Sequence, residues 1–246
     1  MAPRIGFLAL AIAALCGTAA TSGSSAVQRA EKIAFATNRA PNLWHAAVYS
    51  IRPNGQGRRL LARGVPYVGT IQVSPNGRRL LYGESTLYFA RSDGSHARRL
   101  SPTSLLVSGG VFSPDGKRVA FVGAPPCDEV CKAKVYVVRV DGSGLHALGR
   151  GHQPAWSPDS RHLAYTSLPG GSIYVANLKR PLRRLARGER PAWAPNGRRI
   201  AYARGGPDDA LCFVNADGSA KRCVAAHVGN RATAGEIAWS PDSAKV

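Results

Sequence analysis

The chain has 246 residues, 33 Lys and Arg against 14 Asp and Glu, and a formal charge of +19. Hydrophobic residues at 44% with charged residues at 19% exclude a disordered chain and predict a buried core. With 27 Gly, 17 Pro and no long helical pattern, a helix bundle is excluded too, and the length holds one large domain or two small ones.

The first segment reads as an export signal. Arg4 precedes residues 5–17, a run of 13 that is almost purely apolar, where a membrane-spanning helix needs about 20. Small residues fill positions 18–26, which predicts a cleaved secretory signal over residues 1–26, cut after Ala20 or Ala26. Cys16 follows Leu15, whereas lipid attachment wants a small residue there, so a free secreted protein is expected. No later apolar run reaches spanning length, so no transmembrane segment is expected in the mature chain. The location expected is secreted, periplasmic or associated with the cell envelope.

The remainder, residues 31–246, is a repeat. Its mark is Ser-Pro-(Asp/Asn)-(Gly/Ser), one or two basic residues, then a short apolar strand. The copies begin at Ser74, Ser113, Ser157, Ala194 and Ser240, with Ala replacing Ser in the fourth, at spacings of 39, 44, 37 and 46 residues. Units of this length predict an all-β propeller of four-stranded blades. Strand A precedes the turn and ends on Val73, Phe112, Trp156, Trp193 or Trp239. Strand B follows with Tyr82, Phe121, Tyr165 or Tyr202, and strand C holds Tyr49, Tyr88, Tyr136 or Tyr174. Asp93-Gly94, Asp141-Gly142 and Asp217-Gly218 then mark hairpin turns, because Asp-Gly tolerates positive φ. Strand D ends near Leu60, Leu100, Leu148 or Leu185. Recurring once per unit, the aromatic residues are expected to be core between blades rather than a ligand box.

The run Trp-Ser-Pro-Asp-(Gly/Ser), then an apolar residue, Ala and Tyr or Phe, resembles the TolB-type β-propeller repeat, and is similar to the propeller domains of prolyl-oligopeptidase-type peptidases. The resemblance implies fold, not chemistry, because propellers host many activities. The chain departs from TolB in having no room for the α/β domain that precedes the TolB propeller. It also lacks the hydrolase domain of the peptidases and any Gly-x-Ser-x-Gly elbow. TolB-type propellers more usually have six blades. Here Lys32-Ile33-Ala34-Phe35 matches strand B, and Trp239 ends a strand A. Pairing of the chain ends then makes five blades, with Trp239 in a strand beside Phe35; the alternative is a truncated six-bladed propeller.

Four cysteines lie beyond the signal, Cys127, Cys131, Cys212 and Cys223, an even number suited to an oxidising compartment. They allow three connectivities. Aligned by repeat, Cys212 holds the strand C Tyr position and Cys223 the strand D Leu position, so a Cys212–Cys223 disulfide is expected, leaving Cys127–Cys131 within one loop.

No catalytic residue is assigned. The histidines form no His-Glu-x-x-His pattern, a zinc site finds too few ligands, and neither a metal nor a cofactor is expected. His152-Gln153, just before a strand A, is the one pair placed to face a central funnel, where some propeller lyases with related repeats hold a metal through His and Gln. The acids Glu84, Asp128, Glu129, Glu189, Asp208, Asp209 and Glu236 fall on loops of the same type.

The basic residues cluster at the A–B and C–D turns, which share one end of every blade. Fifteen Lys and Arg sit there against six Asp. Arg78, Arg98, Arg183 and Arg198 are the expected binding residues of this edge, for an envelope protein or an anionic polymer. Specific nucleic-acid binding is not expected, because the aromatic residues are committed to the core and leave no stacking platform. The function expected is a secreted, non-enzymatic binding or scaffold module. The alternatives are a hydrolase or lyase with its site in the funnel, and an orphan propeller domain of a larger peptidase.

Overall fold

The computed structural model describes residues 12–13, 33–38, 46–65, 68–126, 132–178, 180–205, 210–225 and 237–246. Every regular element among them is a strand, and none is a helix long and apolar enough to cross a membrane. The chain divides into two compact units, Met1–Thr103 and Ser104–Val246.

In the first unit, β1 (Ile12–Ala13), β2 (Ile33–Asn38), β3 (Ala46–Ile51) and β4 (Arg59–Val65) form one antiparallel sheet in chain order. A second sheet follows: β5 (Thr70–Val73), β6 (Arg79–Glu84), β7 (Thr86–Arg91) and β8 (Arg98–Arg99). Alternation does the folding. Along β3 every second residue is buried, with Ala46 and Val48 turned into the core while Tyr49 lies nearer the surface. Val48, Leu61, Ile71, Leu80 and Tyr82 belong to one apolar cluster that joins the two sheets.

In the second unit, β9 (Leu106–Phe112), β10 (Arg118–Ala124), β11 (Lys134–Arg139), β12 (His146–Trp156), β13 (His162–Ser167), β14 (Ser172–Asn177) and β15 (Arg180–Arg187) form a seven-stranded run. β16 (Glu189–Trp193), β17 (Arg199–Arg204), β18 (Ala210–Asn215) and β19 (Arg222–Ala225) form a four-stranded sheet. The seven are two repeats sharing β12. Its first half pairs with β11, Lys134 opposite Arg150, and its second half with β13, Trp156 opposite Leu163. The expected break between strand D and strand A is absent here because Gly151 keeps negative φ, whereas Gly188, with φ +152, separates β15 from β16.

The aromatic residues lie where the repeat put them. Tyr82, Phe121, Tyr165 and Tyr202 are buried, and the strand C tyrosines stack across the hairpin, Tyr82 on Tyr88, Phe121 on Tyr136 and Tyr165 on Tyr174. The strand D leucines need a correction. Leu60 does face Tyr49, but Tyr88, Tyr136 and Tyr174 face Arg99, Ala147 and Arg184. The leucine is one residue further on in those repeats, and a shift of one turns a side chain to the other face, so Leu185 is buried while Arg184 is exposed.

The strand expected at Trp239 is not formed. Residues 237–240 have no regular structure, and among the described residues no strand pairs with them. The edge of β2 intended for that strand carries β1 instead, with Ile12 opposite Phe35 and Ala13 opposite Ala34. A strand exists only where a ladder supplies its hydrogen bonds, and here the ladder is given to Ile12 and Ala13.

Gly94 and Gly218 occupy equivalent hairpin turns at φ +85 and +84. A Cβ at Gly94 would lie 2.4 Å from the Leu61 carbonyl oxygen, whereas at Gly218 it would meet side chains alone, Leu185 at 3.4 Å and Arg183 at 3.7 Å. Both alanine substitutions should destabilise through left-handed strain of about 1 kcal/mol. Gly94→Ala should cost at least about 1 kcal/mol more, because backbone must move. Denaturant midpoints of the two variants, measured side by side, check this ordering.

Candidate functional site

Four of the five repeat turns are built around one hydroxyl. Ser113 Oγ donates to Asp115 Oδ1 and accepts the Arg118 amide at 2.9 Å, while the Lys117 amide donates to the same Asp115 oxygen at 3.0 Å. Ser157 does the same with Asp159 and His162, Ser240 with Asp242 and Lys245, and Ser74 with Asn76 and Arg79. Pro at the second position presets φ, and the fourth residue takes positive φ, from +61 at Ser160 to +71 at Gly77. Ser74, Ser113 and Ser157 are buried. The motif serine is thus a structural lock and no nucleophile.

The fourth residue also joins neighbouring repeats where it is Ser. Ser160 Oγ accepts the Asp115 amide at 2.9 Å, and Ser243 Oγ accepts the Asn196 amide at 3.1 Å. Beside these bonds, Trp156 Nε1 donates to the Val111 carbonyl and Trp239 Nε1 to the Ala192 carbonyl. Trp239 therefore docks on the preceding repeat as Trp156 does, without a strand of its own.

The turns deliver the basic doublets to one end of each sheet, where Arg78, Arg98, Arg183 and Arg198 are all exposed. They are not equivalent. The Arg98 guanidinium stacks 5.1 Å from the Phe89 ring centre, and both Arg183 terminal nitrogens donate to the carbonyls of Ala216 and Asp217. The second member of three A–B doublets also lies over a ring: Arg79 on Phe89, Arg118 on Trp156 and Arg199 on Trp239, at 5.5, 5.7 and 5.5 Å. The first member, Arg78, Lys117, Arg161 or Arg198, is exposed. Burial raises the Asp115 and Asp159 pKa values, but the Ser113 and Ser157 hydroxyls, the following amides and the adjacent cations outweigh it and hold both below the usual carboxylate range.

At the opposite end of the sheets, strand A bulges before Phe112, Trp156 and Trp193. Gly109, Gln153 and Arg190 all have φ +57, and the ladder slips at each place. Gln153 Oε1 accepts from Thr166 Oγ1 at 3.0 Å and from the Arg190 amide at 2.9 Å, so its oxygen ties one repeat to the next. His152 lines a cavity of about 610 Å³ with Arg187, Glu189 and Arg204. Two arginines beside a single His and Glu, with the Gln153 oxygen already engaged, make a donor set unsuited to a divalent cation. Among the described residues no three His, Cys, Asp or Glu side chains converge on a metal position. Glu84 lies apart, its pKa raised by burial. Asp128, Glu129, Asp208, Asp209 and Glu236 lie outside the described residues, as do Cys127 and Cys131.

Cys212 and Cys223 are disulfide-bonded, directly opposite across β18 and β19 with Cα atoms 3.9 Å apart. They take the place of the ring contact made elsewhere by the strand C tyrosine. Sequence reasoning placed Trp193 in the core but did not single out its packing against His162; the available signal was a His where three other repeats carry Arg.

Comparison with known proteins places these features. Residues 72–243 match the family model described as the TolB beta propeller domain. No curated protein matches the sequence. Among solved structures, the chain is similar to an oligogalacturonate lyase in complex with manganese, at 16% identity and TM-score 0.64, over 79% of this chain and 62% of that one. It is also similar to TolB from Acinetobacter baumannii, at 15% and 0.56, over 79% and 53%. A chain of a nidogen/laminin complex matches at 16% and 0.55, over 80% and 76%. The chain thus spans less than two thirds of the length of the lyase and TolB structures, and identities this low speak to fold alone.

The aspartate locks predict an acid response. A carboxylate with a depressed folded pKa adds stability above its unfolded value, near 3.8, and loses it as pH falls through the folded value. Asp115→Asn with Asp159→Asn keeps the amide-accepting oxygen, as Asn76 and Asn196 do. Melting temperatures from about pH 5 down to about pH 2 should fall less steeply in the double variant than in the wild type.

Proposed function

The chain belongs to the TolB beta propeller domain family, and from that premise we propose that it is a non-enzymatic binding or scaffold module of the cell envelope that docks an anionic partner on its basic turn edge. The observation carrying this reading is the recurrence of an exposed cation at the same turn position in four repeats, Arg78, Lys117, Arg161 and Arg198. The turn's own acid is engaged in backbone hydrogen bonds, and Asn replaces it in two copies without loss of the turn. The charge is therefore not needed to fold the turn. The export-signal reading and the Cys212–Cys223 disulfide support an oxidising location outside the cytosol. An acidic envelope polymer suits exposed cations, because its length lets successive charges act together beyond the screening distance of about 8 Å.

A second reading, a hydrolase or lyase working in the funnel, is favoured by the cavity that gathers His152, Glu189, Arg187 and Arg204. Under it, His152→Ala would abolish turnover of an acidic oligosaccharide. Under the binding reading no turnover exists to lose.

The first reading is tested by replacing Arg78, Arg98 and Arg198 with Ser. Arg183 is left in place because its guanidinium holds two carbonyls of the neighbouring turn. The triple variant should change stability by under about 0.5 kcal/mol per site. It should also weaken binding to heparin and teichoic acid at low salt and flatten the salt dependence. Unaltered binding of both polymers would reduce the basic edge to a bias of composition.

A further inference from the structure

The repeats supply an internal control for one position. The second residue of the basic doublet is Arg79, Arg118 or Arg199 in three repeats, and each lays its guanidinium on an aromatic ring. Arg118 also faces Asp115 Oδ2 at 3.6 Å, and Arg199 donates to the Ser243 carbonyl at 3.3 Å. The repeat beginning at Ser157 has His162 there instead. Its imidazole is 6.3 Å from the Trp193 ring, tilted by 34°, with Nδ1 3.8 Å from Asp159 Oδ2.

The shorter side chain leaves space. A cavity of about 510 Å³ opens between this repeat and the next, lined by Asp159, His162, Asn177, Arg183, Trp193 and Asn196 among others, a size that suits a small ligand or one long side chain. A second observation marks the same place. Trp156 and Trp239 each donate Nε1 to a carbonyl of the preceding repeat, whereas Trp193 Nε1 is buried with no acceptor. The hydrogen bond that ties each sister tryptophan to the preceding repeat is not made here.

The chemistry of the space follows from its walls. Asp159 offers a carboxylate oxygen, and Trp193 an indole in the role that Trp156 and Trp239 play for an arginine. Arg183 lines the cavity but does not fill the cation position, since both its terminal nitrogens are held by the carbonyls of Ala216 and Asp217. An anion there would face the Asp159 carboxylate. A planar, delocalised cation would stack on the ring and bond to the carboxylate edge, as a compact, strongly hydrated ammonium does less well.

We propose that the cavity between the repeats beginning at Ser157 and Ala194 is a guanidinium-binding site, in which a ligand guanidinium takes the position held by Arg118 and Arg199 in the sister repeats, stacked on Trp193 and facing Asp159. The guanidinium comes either from an arginine side chain of a peptide or from a free alkylguanidinium. The site lies at the same turn end of the sheets, with Arg183 in its wall, but it takes a cation and does not rest on the binding of an anionic partner.

The test is titration calorimetry at neutral pH on the full chain with four probes: ethylguanidinium, ethylammonium, a blocked Gly-Arg-Gly peptide and its Gly-Lys-Gly counterpart. Each guanidinium probe should bind at least about fivefold more tightly than its ammonium partner. A peptide affinity above that of ethylguanidinium assigns the site to a polypeptide arginine, and equal affinities assign it to the free cation; both support the proposal. His162→Arg, which installs the sister residue, should abolish guanidinium binding and raise the melting temperature by filling the cavity. Asp159→Asn, which keeps the turn as Asn196 does, should weaken binding by about tenfold. If His162→Arg does not fold, the Asp159→Asn titration decides alone. Equal affinity for guanidinium and ammonium probes, or full binding by either folded variant, overturns the proposal.

Discussion

The hydroxyl of the turn serine is the contact around which four of the five repeat turns are organised. It accepts the amide five residues on and is held in place by the Asp or Asn two residues on, so the chain reverses between strand A and strand B in a single way. That reversal drives the fourth residue into positive φ, which Gly adopts freely and Ser adopts at a cost. Where Ser stands there, its hydroxyl bonds to the preceding repeat, as Ser160 does to Asp115 and Ser243 to Asn196. The same reversal sets the doublet in register, one cation into solvent and the next over a ring. Turn geometry, stacking between repeats and surface charge therefore meet at one hydroxyl in the repeats that carry it, while the Ala194 turn keeps the same backbone bonds, the positive φ at Gly197 and Arg199 over Trp239 without one.

The two ends of each sheet have different physics. At the turn end, cations are exposed or lie on aromatic faces, where loss of solvent is partly offset by the ring. At the other end, backbone strain accumulates at Gln153 and Arg190, residues with a Cβ held at φ +57. The Gln153 side chain repays part of that strain by bonding to Thr166 and to the Arg190 amide. The exposed cations thus gather at one end of the sheets, and the cavity beside His152 lies at the other. Recurrence favours the edge, since the cation returns in repeat after repeat while His152 occurs once.

Much of this was legible in the sequence, and for physical reasons. The turn motif fixes its own hydrogen bonds locally, so five copies in the sequence meant five such turns, and Ala194 shows what remains when the hydroxyl is missing: the backbone bonds persist without it. The Cys212–Cys223 pair was legible because the repeat sets Cys223 eleven residues after Cys212, the separation that also puts Leu60 opposite Tyr49. The leucine facing the strand C tyrosine was misjudged by one residue in three repeats, because bulges in β12 and β15 and a two-residue β8 shift the register in ways composition does not announce. The pairing of residues 12–13 with β2 was also not legible, since a short apolar run specifies no partner. Cavities were beyond reach for a related reason: the space beside Trp193 is a difference in side-chain length that matters only once two repeats are packed together.

The most direct test of the central claim is equilibrium denaturation of Ser157→Ala beside Ala194→Ser. Removing the buried hydroxyl from one turn should cost about 1–3 kcal/mol, and supplying it to the turn that lacks it should add about 0.5–1.5 kcal/mol, with heparin binding unchanged in both. Unchanged stability in Ser157→Ala together with lost binding would contradict the account and make the serine a ligand-contacting residue rather than the lock of the fold.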